Sequence, residues 1–145
     1  MIITIKTIAE MKEYAAKIAG GLKGGDIIGL VGELGAGKTT FTQFLAEALG
    51  VAKDIKSPTF IIFREYGTGP DASAHGILKL VHADAYRIED EDELWSIGFD
   101  DIITEPDTVT VIEWADKLPS IHDYPTYREL RFGFGGGEER IITEG

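Results

Sequence analysis

Apolar and polar positions follow two different periods along this chain, and each change of period marks an element. Ile2-Ile3-Thr4-Ile5 reads as a short strand. Thr7-Ile8-Ala9-Glu10 then has the S/T-x-x-E form of a capping box that starts a helix. Ile8, Met11, Ala15, Ile18 and Leu22 fall on one helical face before Gly20-Gly21 and Gly24-Gly25 break the pattern. Ile27 to Val31 is a continuous apolar run, the pattern of a parallel strand covered on both faces. Phe41, Phe44, Leu45, Ala48 and Leu49 recur at the spacing of a helix docked on a sheet, with Gly50 as its C-cap.

Further along, Phe60 to Tyr66 and Ile77 to Ala83 read as strands. Between them Gly67 to Gly76, rich in Gly, Pro, Asp and Ser, predicts a loop and is the segment expected to be disordered. A short acidic helix is predicted over Glu91 to Ile97 and an apolar strand over Val109 to Ile112. Tyr127 to Phe134 and Glu139 to Thr143, around Gly135-Gly136-Gly137, form a terminal hairpin. The succession predicts an α/β fold: one domain over residues 1–145, with a mixed, mainly parallel sheet flanked by helices and a C-terminal β-hairpin.

Composition narrows the function classes. At 145 residues the chain holds one core, and its net charge of −11 with scattered basic residues lacks the clustered positive footprint of a stand-alone nucleic-acid binder. With no cysteine, thiolate nucleophiles, disulfides and cysteine-bound metals are excluded, and three histidines are a poor substitute. No apolar run approaches the roughly 18 residues of a bilayer span, so a cytosolic protein without membrane contact is expected.

Gly32-Glu33-Leu34-Gly35-Ala36-Gly37-Lys38-Thr39 matches G-x4-G-K-[ST] in full. The glycines let successive N–H groups converge on phosphate oxygens, and the following helix points its N-terminus at the same charge. The match leaves an apolar strand and opens an amphipathic helix, the context that gives the motif its meaning. It predicts nucleoside triphosphate binding, with Lys38 on the β/γ-phosphates and the Thr39 hydroxyl on Mg²⁺.

Such a loop needs an acid at a neighbouring strand end, and Asp84 and Glu113 each close an apolar run. His82, Asp84 and Tyr86 share one face of an extended segment, where His82 is read as a structural histidine in preference to a proton carrier. Arg87 pairs either with a phosphate or with Glu89, and Trp114 packs either at the nucleotide or in the core. Ser57-Pro58-Thr59 stands where many NTPases sense the γ-phosphate. The chain contains no asparagine, so a guanine-reading Asn-Lys-x-Asp motif is impossible, and five dispersed arginines offer no kinase lid. The residues favour ATP hydrolysis over transfer to a small acceptor.

Taken in order, Gly32-x-Leu34-Gly35-Ala36-Gly37-Lys38-Thr39-Thr40, Ser57-Pro58-Thr59-Phe60, His82-x-Asp84-x-Tyr86-Arg87 and Ile112-Glu113-Trp114 resemble the TsaE family, also called YjeE, across essentially the whole chain. The resemblance implies a bacterial ATPase that uses Mg²⁺ and works with the TsaB and TsaD proteins in threonylcarbamoylation of the tRNA adenosine beside the anticodon, meeting tRNA only through those partners. It implies nucleotide binding by Glu33, Leu34, Gly35, Ala36, Gly37, Lys38, Thr39 and Thr40, with Thr7 and, more weakly, Lys6 and the Gly135 region near the adenine. Thr39 and Glu113 are implied on the metal side, Asp84 at the attacking water, Lys38 and Trp114 in the catalytic centre, and Ser57 and Thr59 in a switch. Ala83 and Ala85 replace larger apolar residues usual in the family, a change that touches packing behind Asp84.

Overall fold

In the computed structural model residues 1–52, 55 and 62–144 are described, and the Ser57 and Thr59 switch expectation lies outside them. Strand β1 (Ile2–Ile5) runs directly into helix α1 (Ile8–Gly20). Thr7 caps that helix, its Oγ1 accepting the Glu10 N–H at 3.1 Å, while the Glu10 carboxylate accepts the Lys6 N–H at 3.0 Å. Then follow β2 (Ile27–Gly32), α2 (Lys38–Ala48), β3 (Phe63–Gly67), α3 (Pro70–Ala74), β4 (Lys79–Asp84), α4 (Asp92–Trp95), α5 (Phe99–Ile103) and β5 (Thr108–Glu113). Two 3₁₀ turns, Ala115–Lys117 and Pro119–Asp123, lead to β6 (Tyr127–Phe134) and β7 (Arg140–Glu144).

All seven strands join one sheet in the order β1-β7-β6-β2-β5-β4-β3. Its four central strands, β6, β2, β5 and β4, are mutually parallel, whereas β1, β7 and β3 add on antiparallel at the two sides. The period of two splits the central strands between two cores. Ile28, Leu30, Leu80, Val109 and Val111 pack towards α1 and α2, where Phe41 meets Tyr14 and Phe132 at ring-centroid distances of 5.8 and 5.7 Å. Ile27, Val81, Ala83 and Ile112 face the other way, onto Leu94, Phe99, Leu118 and Ile121. Each fully buried large side chain stabilises the fold by about 1.5–3 kcal/mol relative to exposure. The two buried alanines behind Asp84, Ala83 and Ala85, belong to this second core, away from the Asp84 side of the sheet.

One expectation needs correction and one is extended. Gly67 to Gly76 is not a bare loop: it contains α3, with Pro70 in its first turn, and it is pinned by the Thr68 hydroxyl donating to the Ile77 carbonyl at 2.6 Å. The acidic helix predicted over Glu91 to Ile97 is present as the shorter α4, and a second helix that was not predicted, α5, follows Gly98 and buries Phe99 and Ile103. Among the described residues no helix is long and apolar enough to cross a membrane.

Candidate functional site

Parallel strands deliver their C-terminal ends to one edge of a sheet, and there the crevice of an open α/β fold lies. The register places Glu113 beside Leu30 on β2 and beside Asp84 on β4, so both candidate acids stand at the edge from which the glycine-rich loop leaves. Gly32, with φ +151°, makes that departure so close to β6 that a Cβ would lie 2.4 Å from the Phe132 carbonyl oxygen. Gly37, at φ 104°, is the residue before α2 and turns the loop into the helix.

Lys38 occupies the first turn of α2 and is 5 % exposed. Its Nζ donates to the carbonyls of Gly32 at 2.6 Å and Glu33 at 2.9 Å, and lies 4.1 Å from the Trp114 ring centroid. Burial lowers the ammonium's pKa, while the carboxylates of Glu113, Asp116 and Asp84 pull it upward. Among the described residues Trp114 is the single non-glycine with positive φ, 59°, a conformation that costs about 1–2 kcal/mol. That turn carries the indole over Lys38 and against Tyr86, whose ring centroid is 4.9 Å away. Trp114 is thus packed against the second core and, on the same ring, over Lys38 of the loop.

The Thr39 hydroxyl donates to Glu113 Oε1 at 2.8 Å. The other oxygen, Oε2, lies 2.6 Å from His82 Nε2. Asp84 Oδ1 accepts the Tyr86 N–H at 3.0 Å. Burial pushes the Asp84 carboxyl above its ordinary pKa; the Tyr86 N–H opposes this, and the Glu113 charge adds to it. Thr39, Glu113 and Asp84 thus bring hard oxygen atoms to the head of the loop. Among the described residues no group of three or more His, Cys, Asp or Glu forms a metal cage. One hydroxyl and one carboxylate suit an ion such as Mg²⁺, which keeps most of its ligands as water and phosphate oxygen.

On the far side of the loop a cleft of about 280 Å³ is lined by Lys6, Thr7, Ile8 and Met11, by Gly35, Gly37 and Thr40, and by Glu138 and Arg140 of the hairpin. It joins the candidates Thr7, Lys6 and Thr40 in one place. Leu34, by contrast, is 77 % exposed, and Ala36 is fully buried. Sequence reasoning missed two partners: His82 on Glu113 and Tyr86 on Trp114. Alternation had aligned His82 with Asp84, but the strand opposite, 31 residues away for the His82–Glu113 pair, was not visible in it.

A sheet with a parallel centre that delivers a glycine-rich loop, its lysine and two acids to one edge defines a single-domain P-loop protein. The chain belongs to the TsaE family: the model of that family, described as threonylcarbamoyl adenosine biosynthesis protein TsaE, matches residues 5–140. It is 43 % identical over 135 residues to a Bacillus subtilis (strain 168) protein named tRNA threonylcarbamoyladenosine biosynthesis protein TsaE, covering 92 % of this chain and 78 % of the relative. A Streptomyces coelicolor protein of the same name is 42 % identical, covering 73 % of this chain and 68 % of its own. The crystal structure of YdiB from Bacillus subtilis superposes with a TM-score of 0.70 at 32 % identity, over 99 % of this chain and 83 % of that one.

Proposed function

We propose that this protein is an ATPase that binds Mg-ATP at Gly32 to Thr40, hydrolyses it slowly, and supports the TsaB and TsaD proteins in threonylcarbamoylation of the tRNA adenosine beside the anticodon. The observation that carries the ATPase reading is the Thr39–Glu113 hydrogen bond at the head of the loop, with Asp84 in register alongside. Backbone N–H groups of residues 33–39 cradle the phosphates, and Lys38 leaves the Gly32 and Glu33 carbonyls to neutralise them. Thr39 and Glu113 would hold Mg²⁺, which when bound would neutralise phosphate charge. Asp84, poised by burial to accept a proton nearer neutrality than an ordinary aspartate, orients the attacking water. The cleft of Thr7 and Arg140 receives the nucleoside end.

The role in tRNA modification rests on family membership, and the link to tRNA through partners on the net charge of −11. Two measurements test the proposal. Titration with Mg-ATP is expected to show binding that Lys38→Ala weakens at least about 10-fold without unfolding the protein, and ATP alone is expected to yield ADP and inorganic phosphate without any acceptor. ADP formation that requires a small-molecule acceptor, with the phosphoryl group carried on that acceptor in place of inorganic phosphate, would make the protein a kinase. Binding to the TsaB–TsaD pair is expected to be tighter with an ATP analogue than with ADP, while tRNA alone binds weakly; equal binding in both nucleotide states would defeat the partner reading.

A further inference from the structure

We infer that His82 is the positioning residue of Glu113: by engaging Oε2 it leaves Oε1 as the one carboxylate oxygen presented to Thr39 and to a metal beside it. The inference rests on the reading of Thr39 and Glu113 as the metal-side pair and names the residue that gives the pair its geometry. Glu113 alone has no reason to keep one orientation, because a carboxylate ending a strand rotates about its last torsion over a broad range. Here it is bridged. Oε1 is tied to α2 through Thr39 at 2.8 Å, and Oε2 is tied to β4 through His82 at 2.6 Å.

Two features separate this contact from ordinary core packing. His82 is fully buried and Glu113 is 3 % exposed, so the imidazole and carboxylate face each other without competing solvent. Among the described residues the second imidazole nitrogen, Nδ1, has no hydrogen-bond partner. A buried polar nitrogen without a partner costs stability, and a leucine at position 82 would fill the same interior without that cost. What histidine adds at this position is the contact to Oε2. The backbone explains how it reaches. His82 pairs with Val111, two residues before Glu113 on the adjacent parallel strand, so both side chains project from one face with the carboxylate a step nearer the loop.

The experiment compares nucleotide affinity with Mg²⁺ and with EDTA in the full chain, using ATP as the probe, for the wild type, His82→Leu and His82→Gln. Affinity in EDTA reports the intact loop and is expected to stay within about twofold in all three, as befits a residue that does not touch the phosphates. The Mg²⁺ needed for half-maximal tightening is expected to rise about tenfold or more in His82→Leu, the scale on which losing an outer partner weakens a metal site. His82→Gln places an N–H near the position of Nε2 and is expected to restore most of it. Should the leucine variant fail to fold, His82→Asn, whose amide stops short of Oε2, takes its place against glutamine. Equal Mg²⁺ dependence in wild type and His82→Leu, or a glutamine variant no better than leucine or asparagine, overturns the inference. A wild type that gains nothing from Mg²⁺ overturns the metal-side reading itself, a distinct result.

Discussion

Lys38 Nζ and the Trp114 ring stand 4.1 Å apart, with the lysine also bonded to two carbonyls of its own loop. Under the proposed ATP binding the lysine has to exchange these partners for phosphate oxygens, so the contact with the indole is expected to change when ligand arrives.

Nucleotide binding is accordingly expected to change the fluorescence of Trp114. A Trp95→Phe background isolates the signal, since the chain has two tryptophans. Lys38→Met removes the cation and is expected to abolish the response and weaken binding about 10- to 100-fold, the worth of a hydrogen bond from a charged group. Fluorescence titration and calorimetry on the same samples check both.

Glu113 serves three elements, so truncation has a structural cost as well as a functional one. Glu113→Ala leaves the His82 and Thr39 groups without their carboxylate and is expected to lower stability by about 1–3 kcal/mol in urea unfolding. Glu113→Gln, which keeps hydrogen-bonding atoms at both positions, is expected to be milder in stability while still losing the Mg²⁺ dependence of binding.

Asp84 carries a pH signature. Its folded-state pKa is raised above the unfolded value, mainly by burial, so the native state holds this proton more tightly than the unfolded chain does. Its contribution to stability falls as pH rises from the ordinary aspartate range through the raised folded value, and the penalty is constant above that. Asp84→Asn removes the charge while its amide oxygen still accepts the Tyr86 N–H. It is expected to unfold at higher temperature than wild type at neutral pH, with the advantage shrinking in acid, and to hydrolyse ATP about 10²-fold more slowly. Thermal unfolding across pH and phosphate release give the two readouts.

Gly32 links the fold to the loop. Gly32→Ala drives a Cβ to 2.4 Å from a backbone carbonyl at a φ that side chains avoid, with an expected loss of about 1–3 kcal/mol and of nucleotide binding. Urea unfolding and an ATP titration follow each.

Much of this architecture is written locally. The Thr7–Glu10 cap, the apolar run of β2 and the glycine-rich loop each depend on residues within a few positions, and the strand β6 was predicted with its observed bounds. Helix α3 was hidden because five residues, Pro-Asp-Ala-Ser-Ala, are too few to show a period and consist mostly of turn formers. The role of His82 was hidden for another reason: its partner is fixed by the parallel register of β4 on β5, which no local pattern encodes. Alternation identified the face, and tertiary structure decided what faced it.

The order of strands also sets when the loop can exist. β2, which carries it, is paired on one side to β5 and on the other to β6, so its neighbours begin at Thr108 and Tyr127, far downstream. A chain emerging from the ribosome therefore has no settled seat for residues 32–39 until β6 has been synthesised. Such non-local pairing slows refolding relative to helical domains of similar size, and ligand competence is expected only at the close of folding. A nascent chain that still lacks β6 is expected not to bind nucleotide, whereas the completed sheet is expected to do so.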